Sequence, residues 1–372
     1  MSNQPVRGFV QVAAGRVIPA ALQAIFYLVF AYILEPESYG QLSYLISIAG
    51  VASVISRFGL PYSITVYSAK KNFLFVNQAN IILLIIGSVT AIILLVVDPF
   101  VALLSFAFTI FVTNQYNLLG LKKYQKFMIN AIIRSVLLIS ITILLYFYLD
   151  LSGILLGMAI SNLVISYDFI KSINKKFNSF KNFKANFKVI VHNFGTDAST
   201  TLPRLADKLV IVPVIGLAYT GIYQFNLQIL FALEILPLAL HSFLLPEESS
   251  GKKYQKIFYF VLIATSIIVL VVILVSPFII NQLFPKYSDG VFGLQIMSIS
   301  LIPLSLTAIF NAKLQGSEST KIGYSAIVRL GTLLPLLVIL GESFGLVGLS
   351  FAVLISAICY ASFLCFLYSK EK

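Results

Sequence analysis

Residues 204 to 210, Arg-Leu-Ala-Asp-Lys-Leu-Val, set two cations and an anion inside an apolar stretch, with "STTLP" before them and "IVPVIGLAY" after. A guanidinium can hold two oxygens of a phosphate at once and an ammonium adds a point charge, so Arg204 and Lys208 offer binding chemistry for a phosphorylated ligand. Their spacing with Asp207 is i, i+3, i+4, which puts all three on one face of a continuous helix and lets Asp207 neutralise one cation. A simple helix-fixing ion pair is the rival reading. Arg16 and Arg57 add two guanidinium groups to the candidate phosphate-binding set, with snorkelling to the inner interface as the rival reading for both. Glu234, in "ALEILPLAL" beside Pro237, and Asp207 are carboxylates that could carry a coupling H+ or Na+; Glu234 could equally pair with a nearby cation.

The elements that must position these groups are membrane helices. Of 372 residues, 59% are hydrophobic and 11% charged, with a mean hydropathy of +0.95. A soluble chain of this composition would have too few polar residues for a wettable exterior. The apolar residues come in blocks of roughly 20, the length a helix needs to cross the hydrocarbon core. They lack the alternation of a transmembrane barrel, so the expected class is an all-α integral membrane protein with about 12 transmembrane helices. The first apolar block, from Phe9 to Leu34, is too long for a signal-peptide core, so no cleavable leader is expected. Cys359 and Cys365, six residues apart in the last block, read as packing residues rather than a disulfide or metal pair.

Charge placement orients the spans. With a cytoplasmic N-terminus, 19 of the 26 Lys and Arg residues fall in cytoplasmic segments and one, Lys286, falls outside. Glu35, Glu37, Asp98, Asp150, Asp289 and Glu342 collect on the outer side. This bias predicts a multi-pass protein of the cell (inner) membrane with both termini cytoplasmic. The other six basic residues are Arg16, Arg57, Arg134, Arg204, Lys208 and Arg329, all within proposed spans. The net charge of +12 therefore reflects topology and phosphate chemistry, and no nucleic-acid partner is expected.

The chain repeats itself weakly. A shift of 195 residues aligns "AIIRS" at 131–135 with "AIVRL" at 326–330, Gly153 with Gly348 and Leu138 with Leu333; a shift of 181 aligns Gly40 with Gly221 at the starts of the second and eighth spans. Six spans per repeat give both halves the same orientation. The expectation is two parallel six-helix bundles around a central cleft, an N-terminal lobe over 1–170 and a C-terminal lobe over 190–372. Between them, 171–189 reads either as a basic amphipathic helix, with Phe177, Phe180, Phe183 and Phe187 on one face, or as a solvated linker. Arg134 and Arg329, the repeat-related pair, read as helix anchors.

The stretch "ILEPESYGQLSYLISIAGVASVISRFGLPYSITVYSAKK" at 33–71 resembles the opening of polysaccharide-biosynthesis flippases of the Wzx type, in the MOP superfamily to which MATE exporters also belong. The shared features are a Leu-x-Pro-Glu-x-Tyr-Gly pattern at Leu34–Gly40 and the Gly59-Leu60-Pro61 that ends the second span. "LAYTGIYQFNLQI", "LFPKYSDGVFGLQIMSIS" and "FGLVGLSFA" are similar to later family segments. The resemblance implies alternating-access translocation of a polyprenyl- or dolichyl-(pyro)phosphate-linked oligosaccharide from the cytoplasmic to the outer leaflet. It also implies that Arg16 and Arg57, on the first two spans, meet the anionic headgroup, with Arg57 the better positional match. Membrane lipids, glycosyltransferases and a polymerase are the partners it implies. The extra C-terminal helix pair that some members of that family carry is not expected here.

Two other readings stay open: a cation-coupled exporter of the same superfamily, and a non-transporting scaffold in a glycan-synthesis complex. The sequence holds no HExxH, Walker loop or GxSxG, and no cytoplasmic segment long enough for a nucleotide-binding domain. An enzyme is not expected and no cofactor is implied. The energy source would be an ion gradient, membrane potential or substrate mass action.

Overall fold

The computed structural model describes residues 4–173, 183, 186–234, 255–316 and 322–371, all helix, turn or short connection. The helices are α1 (Gln4–Ile33), α2 (Pro36–Arg57), α3 (Leu60–Ala69), α4 (Phe73–Leu94), α5 (Pro99–Gly120), α6 (Tyr124–Ser172), α7 (Phe187–Thr201), α8 (Ala206–Leu233), α9 (Gln255–Leu283), α10 (Val291–Ile299), α11 (Leu301–Gly316) and α12 (Ile322–Glu371). Short 3-10 turns at Leu202–Arg204 and Pro285–Gly290 precede α8 and α10.

Local chemistry sets the breaks. Asp98 caps α5, its carboxylate accepting from the N–H groups of Phe100 (2.7 Å) and Val101 (2.9 Å), with Pro99 at the first helical position. Asp98-Pro99 is therefore a turn between two helices, not a kink within one. Asn72 caps α4 in the same way, accepting from Phe75 at 3.2 Å. Lys71 and Lys122 close α3 and α5 in left-handed conformation, where the next residue's N–H reaches back to Tyr67 and Leu118.

Nine described stretches are long and apolar enough to cross a membrane. Two of them run for 44 residues, roughly 66 Å of helix and about twice the hydrocarbon thickness. Each turns back on itself at one residue: Asp150 (φ 49°, ψ −134°) in α6 and Gly345 (φ 55°, ψ −134°) in α12. Antiparallel packing follows. A Cβ on Gly153 would fall 2.1 Å from the Leu145 carbonyl oxygen, and one on Gly348 would fall 1.8 Å from that of Leu340. Turn residue, glycine and carbonyl all recur at the offset of 195, so the weak repeat corresponds to one hairpin built twice. In α8, Gly216 (φ 84°, ψ 177°) makes a comparable reversal.

Asp150 holds a conformation that Gly345 adopts without cost. Asp150→Gly is expected to stabilise the protein by about 1 kcal/mol, read as a raised unfolding temperature in detergent. An unchanged or lowered temperature would count against strain at this turn.

By packing, the chain forms two units. The first comprises Met1–Phe26 and Leu45–Leu205, the second Tyr27–Tyr44 and Ala206–Lys372. This division differs from the one read from the repeat: α7 belongs with the first unit, and α1 and α2 are each shared between units. In the first unit, Leu60, Ile64, Phe75, Ala79, Leu83 and Ile190 form a buried core. In the second, Ile211, Tyr223, Leu230, Met297, Leu337 and Leu349 do so. Most of the expected linker helix at 171–189 lies outside the described residues. Of its phenylalanines, Phe183 and Phe187 are described, their rings 6.4 Å apart, and Phe187 stacks on Phe58 at 6.2 Å. Cys359 is half-buried and Cys365 exposed, both as free thiols, so only the former fits the packing role expected of the pair.

Candidate functional site

In the first unit the chain reverses helical sense between α2 and α3. Phe58 and Gly59 both take positive φ, and Pro61 starts α3. This junction sits flush on α7: a Cβ on Gly59 would fall 2.1 Å from the Phe194 backbone nitrogen and 2.7 Å from the Ile190 carbonyl oxygen. Only glycine meets both the torsion and the contact. Arg57, the last residue of α2, is thereby set against α7.

Arg57 and Asp197 are each 5% exposed. The Arg57 Nε donates to Asp197 Oδ2 at 3.2 Å, Nη2 to Oδ1 at 3.4 Å, and Nη1 to Ser53 Oγ at 3.3 Å. The Thr201 hydroxyl donates to Asp197 Oδ1 at 3.2 Å, and the Thr109 hydroxyl to Ser53 Oγ at 3.2 Å. Removing two charges from water costs several kcal/mol per ion, which this two-point bonding offsets. Tyr62 and Tyr116 pack nearby with ring centroids 4.9 Å apart and planes tilted by 53°, and the Tyr116 hydroxyl lies within electrostatic reach of Asp197 and Arg16. Arg16 itself is exposed. The adjacent Gly15 packs α1 on Phe127 and Met128 of α6.

The second unit holds a separate buried pair. Asp207 and Lys208 are 2% and 3% exposed. Lys208 Nζ donates to Asp207 Oδ1 at 2.9 Å and to Oδ2 at 3.2 Å, and the Tyr223 hydroxyl donates to Oδ2 at 3.2 Å. Arg329, on the opening half of α12, lies within electrostatic reach of Tyr223 and 5.6 Å over the Tyr360 ring. Its repeat mate Arg134 lies 5.2 Å over Phe111 and donates to Asn162 at 3.3 Å.

The expected single face for Arg204, Asp207 and Lys208 does not form. Pro203 lies in a 3-10 turn and Leu205 leaves helical geometry (φ −120°), so Arg204 ends one segment and Asp207 opens another. Arg204 is exposed, whereas the other two are buried against each other. Glu234 is half-buried at the turn ending α8, and Pro237 lies outside the described residues.

Sequence reading missed Asp197, Tyr223 and the Tyr62–Tyr116 pair. Asp197 carried a signal: an acid inside a proposed span costs about 2.5–3.5 kcal/mol on insertion scales unless a partner meets it.

No known family's sequence profile matches the chain. It is 25% identical, over 90% of either chain, to an uncharacterized membrane protein of Methanocaldococcus jannaschii. The lipid II flippase MurJ, in an inward closed conformation, superposes with a TM-score of 0.71 at 16% identity, covering 97% of this chain and 87% of that one. A multidrug resistance MATE transporter of the MOP superfamily, inward-facing, gives 0.67 at 13% identity over 94% and 97% of the two chains. An outward-facing structure of such a transporter gives 0.65 at 16% over 99% and 95%. At these identities the likeness concerns the fold: this is a multi-pass helical membrane protein folded like the MOP-superfamily transporters and flippases.

Proposed function

We propose that the protein is a flippase for a polyprenyl- or dolichyl-(pyro)phosphate-linked oligosaccharide, moving it from the cytoplasmic to the outer leaflet by alternating access. The observation that carries this reading is Arg57, a buried guanidinium whose three nitrogens all meet oxygen acceptors, set in a fold similar to that of a lipid flippase. That is a geometry in which phosphate oxygens can take the place of protein ones. Arg16 on α1 is the entry cation, Lys208 a second buried one, and Arg204 an exposed one. Asp207 and Glu234 are the carboxylates for H+ or Na+ coupling. Counting each of the three hairpins as two crossings supports the twelve-span plan, with both termini cytoplasmic as the charge bias requires. Glycosyltransferases or a polymerase would act on either side of the transport step.

The MATE likeness favours a second reading, a cation-coupled exporter. A cavity for cationic drugs calls for unpaired acids, however, and the buried acids Asp197 and Asp207 are each met by a basic side chain. Proteoliposomes loaded with a fluorescent polyprenyl-pyrophosphate-linked sugar separate the two. Arg57→Ala is expected to slow its translocation at least about tenfold, the scale of one charge-assisted contact, and Arg204→Ala to slow it less. Native rates in both variants, at equal protein levels, would reject the phosphate-binding reading.

A further inference from the structure

We propose that Arg329 is a binding residue of the second unit for the ligand's phosphate, held against Tyr360 with its N–H donors left for the ligand. The inference rests on the flippase reading above and adds a cation which that reading does not use.

Arg329 lies one turn before Leu333 and two before Leu337 on α12, residues that are 6% and 0% exposed and belong to the core of the second unit. The side chain therefore leaves the helix on its inward face, not its lipid face. Arg329 and Tyr360 stand at nearly equal distances along the chain from the Gly345 turn, so they share one level of the hairpin. A guanidinium resting on that ring is not stretched toward the interface, as a snorkelling arginine would be. It is half-buried, where the core residues beside it are dry.

The repeat shows what is missing at this position. Arg134, in the matching place of the α6 hairpin, is 9% exposed, lies 5.2 Å over Phe111 and donates to the Asn162 side chain at 3.3 Å. The offset that carries Arg134 to Arg329 carries Asn162 to Ala357, whose methyl group can accept nothing. Arg329 keeps only an aromatic contact, with its Cζ 5.6 Å from the centre of the Tyr360 ring. Asn311 Nδ2 donates to the Tyr360 hydroxyl at 3.1 Å and so steadies that ring. Among the described residues, no acid pairs with Arg329 and no oxygen accepts from its guanidinium. Asp207 accepts instead from Lys208 and from Tyr223.

A guanidinium carries five N–H donors and cannot shed its charge, so leaving them without acceptors inside a membrane hairpin is costly until an anion arrives. The ring holds the cation in place without supplying an oxygen. The N–H edge that stays open is the one by which arginine grips two phosphate oxygens at once. Tyr360 and Asn311 act as positioning residues, because they hold the arginine and leave the phosphate to it.

Binding of inorganic pyrophosphate to the full chain in nanodiscs of zwitterionic lipid tests this, with the unfolding temperature of each variant measured beside it. Arg329→Gln is expected to bind about tenfold more weakly, the scale of one charge-assisted contact, at a near-native unfolding temperature. Arg329→Lys keeps the charge without the two-point edge and is expected to fall between the two. Ala357→Asn restores the acceptor of the first hairpin; it is expected to occupy the guanidinium and weaken binding several-fold although Arg329 is still there. Should that variant fold poorly, the two Arg329 variants decide alone. A mere helix anchor gives the opposite result: Arg329→Gln lowers the unfolding temperature and leaves binding per folded molecule unchanged, which overturns the proposal. Translocation of the fluorescent polyprenyl-pyrophosphate-linked sugar identifies the source of the phosphate, and Arg329→Gln is expected to slow it several-fold. Native translocation despite weakened pyrophosphate binding would assign Arg329 to free phosphate. Added phosphatidylglycerol that displaces pyrophosphate from the native protein would assign it to bulk lipid headgroups. Either outcome overturns the proposal. Pyrophosphate binding that needs Arg57 but not Arg329 sinks it and spares the flippase reading, and no pyrophosphate binding to the native protein sinks both.

Discussion

Gly221→Val is expected to abolish translocation while leaving the protein folded and monodisperse, and Gly40→Val is expected to do the same. The two glycines sit where the start of α2 meets the returning half of α8. A Cβ on Gly40 would fall 1.9 Å from the Leu217 carbonyl oxygen, and one on Gly221 would fall 1.8 Å from that of Pro36. Pro36 and Leu217 are separated by the same 181 residues as Gly40 and Gly221, so the contact is two-fold in character, each helix start using its glycine against the other's carbonyl. Both obstacles are backbone, and no rotamer change relieves them. Nearby interactions hold the same region: Lys286 pairs with Glu35 at 2.9 Å, Tyr39 meets Tyr287 edge-on with centroids 6.0 Å apart, and Phe225 packs on Tyr287 at 4.6 Å. Those groups can adjust around a small shift, but the glycine contact cannot. A valine therefore removes the conformation in which these helix starts touch, and the proposed alternating-access cycle, lacking one of its conformations, would not turn over. Transport in proteoliposomes at the native rate for either variant would show that the contact is dispensable.

The second large effect concerns Asp207. Its removal takes the carboxylate away from the buried Lys208 ammonium, and breaking one side of a buried pair costs about 3–5 kcal/mol. Asp207→Ala is accordingly expected to lower the unfolding temperature sharply and to reduce the amount of protein in the membrane. Removing both charges is different in kind. Asp207→Leu/Lys208→Met takes away two desolvated ions together and fills the site with apolar atoms, so most of the stability should return. The double variant then decides between the two roles of the pair. If Lys208 only fixes the helix, the stable double variant transports normally. If Lys208 binds ligand phosphate, the double variant is stable and transports poorly. A double variant as unstable as Asp207→Ala would overturn the account of the pair itself.

Several features of both sites are visible in the chain before any packing is known. Charged residues inside apolar blocks stand out because lipid offers them no solvation; that ground singles out Lys208 and, together with the family resemblance, Arg57. Glycine pairs at fixed offsets stand out for a related reason. Close backbone contact excludes a side chain, so Gly40 with Gly221 and Gly153 with Gly348 keep their spacing where apolar neighbours drift. The same logic left Asp150 unread, because its match at the offset of 195 is Gly345, and the shared backbone torsion is invisible in the residue types. Long apolar runs announce membrane helices through length and composition, which depend on the bilayer and not on neighbouring elements.

Sequence by itself thus determined that the chain is a helical membrane protein, that short segments and glycines recur at fixed offsets, and which residues carry an uncomfortable charge. Each of these follows from local composition or from a spacing along one chain. Only the tertiary structure decided how the charges are satisfied. Arg57 pairs with an acid 140 residues away, and Arg204 parts from Asp207 and Lys208 because the helix breaks after Pro203. The choice of partner depends on which helix packs beside which. That is set by the summed fit of many weak apolar contacts across distant segments, and no spacing within a single span encodes it.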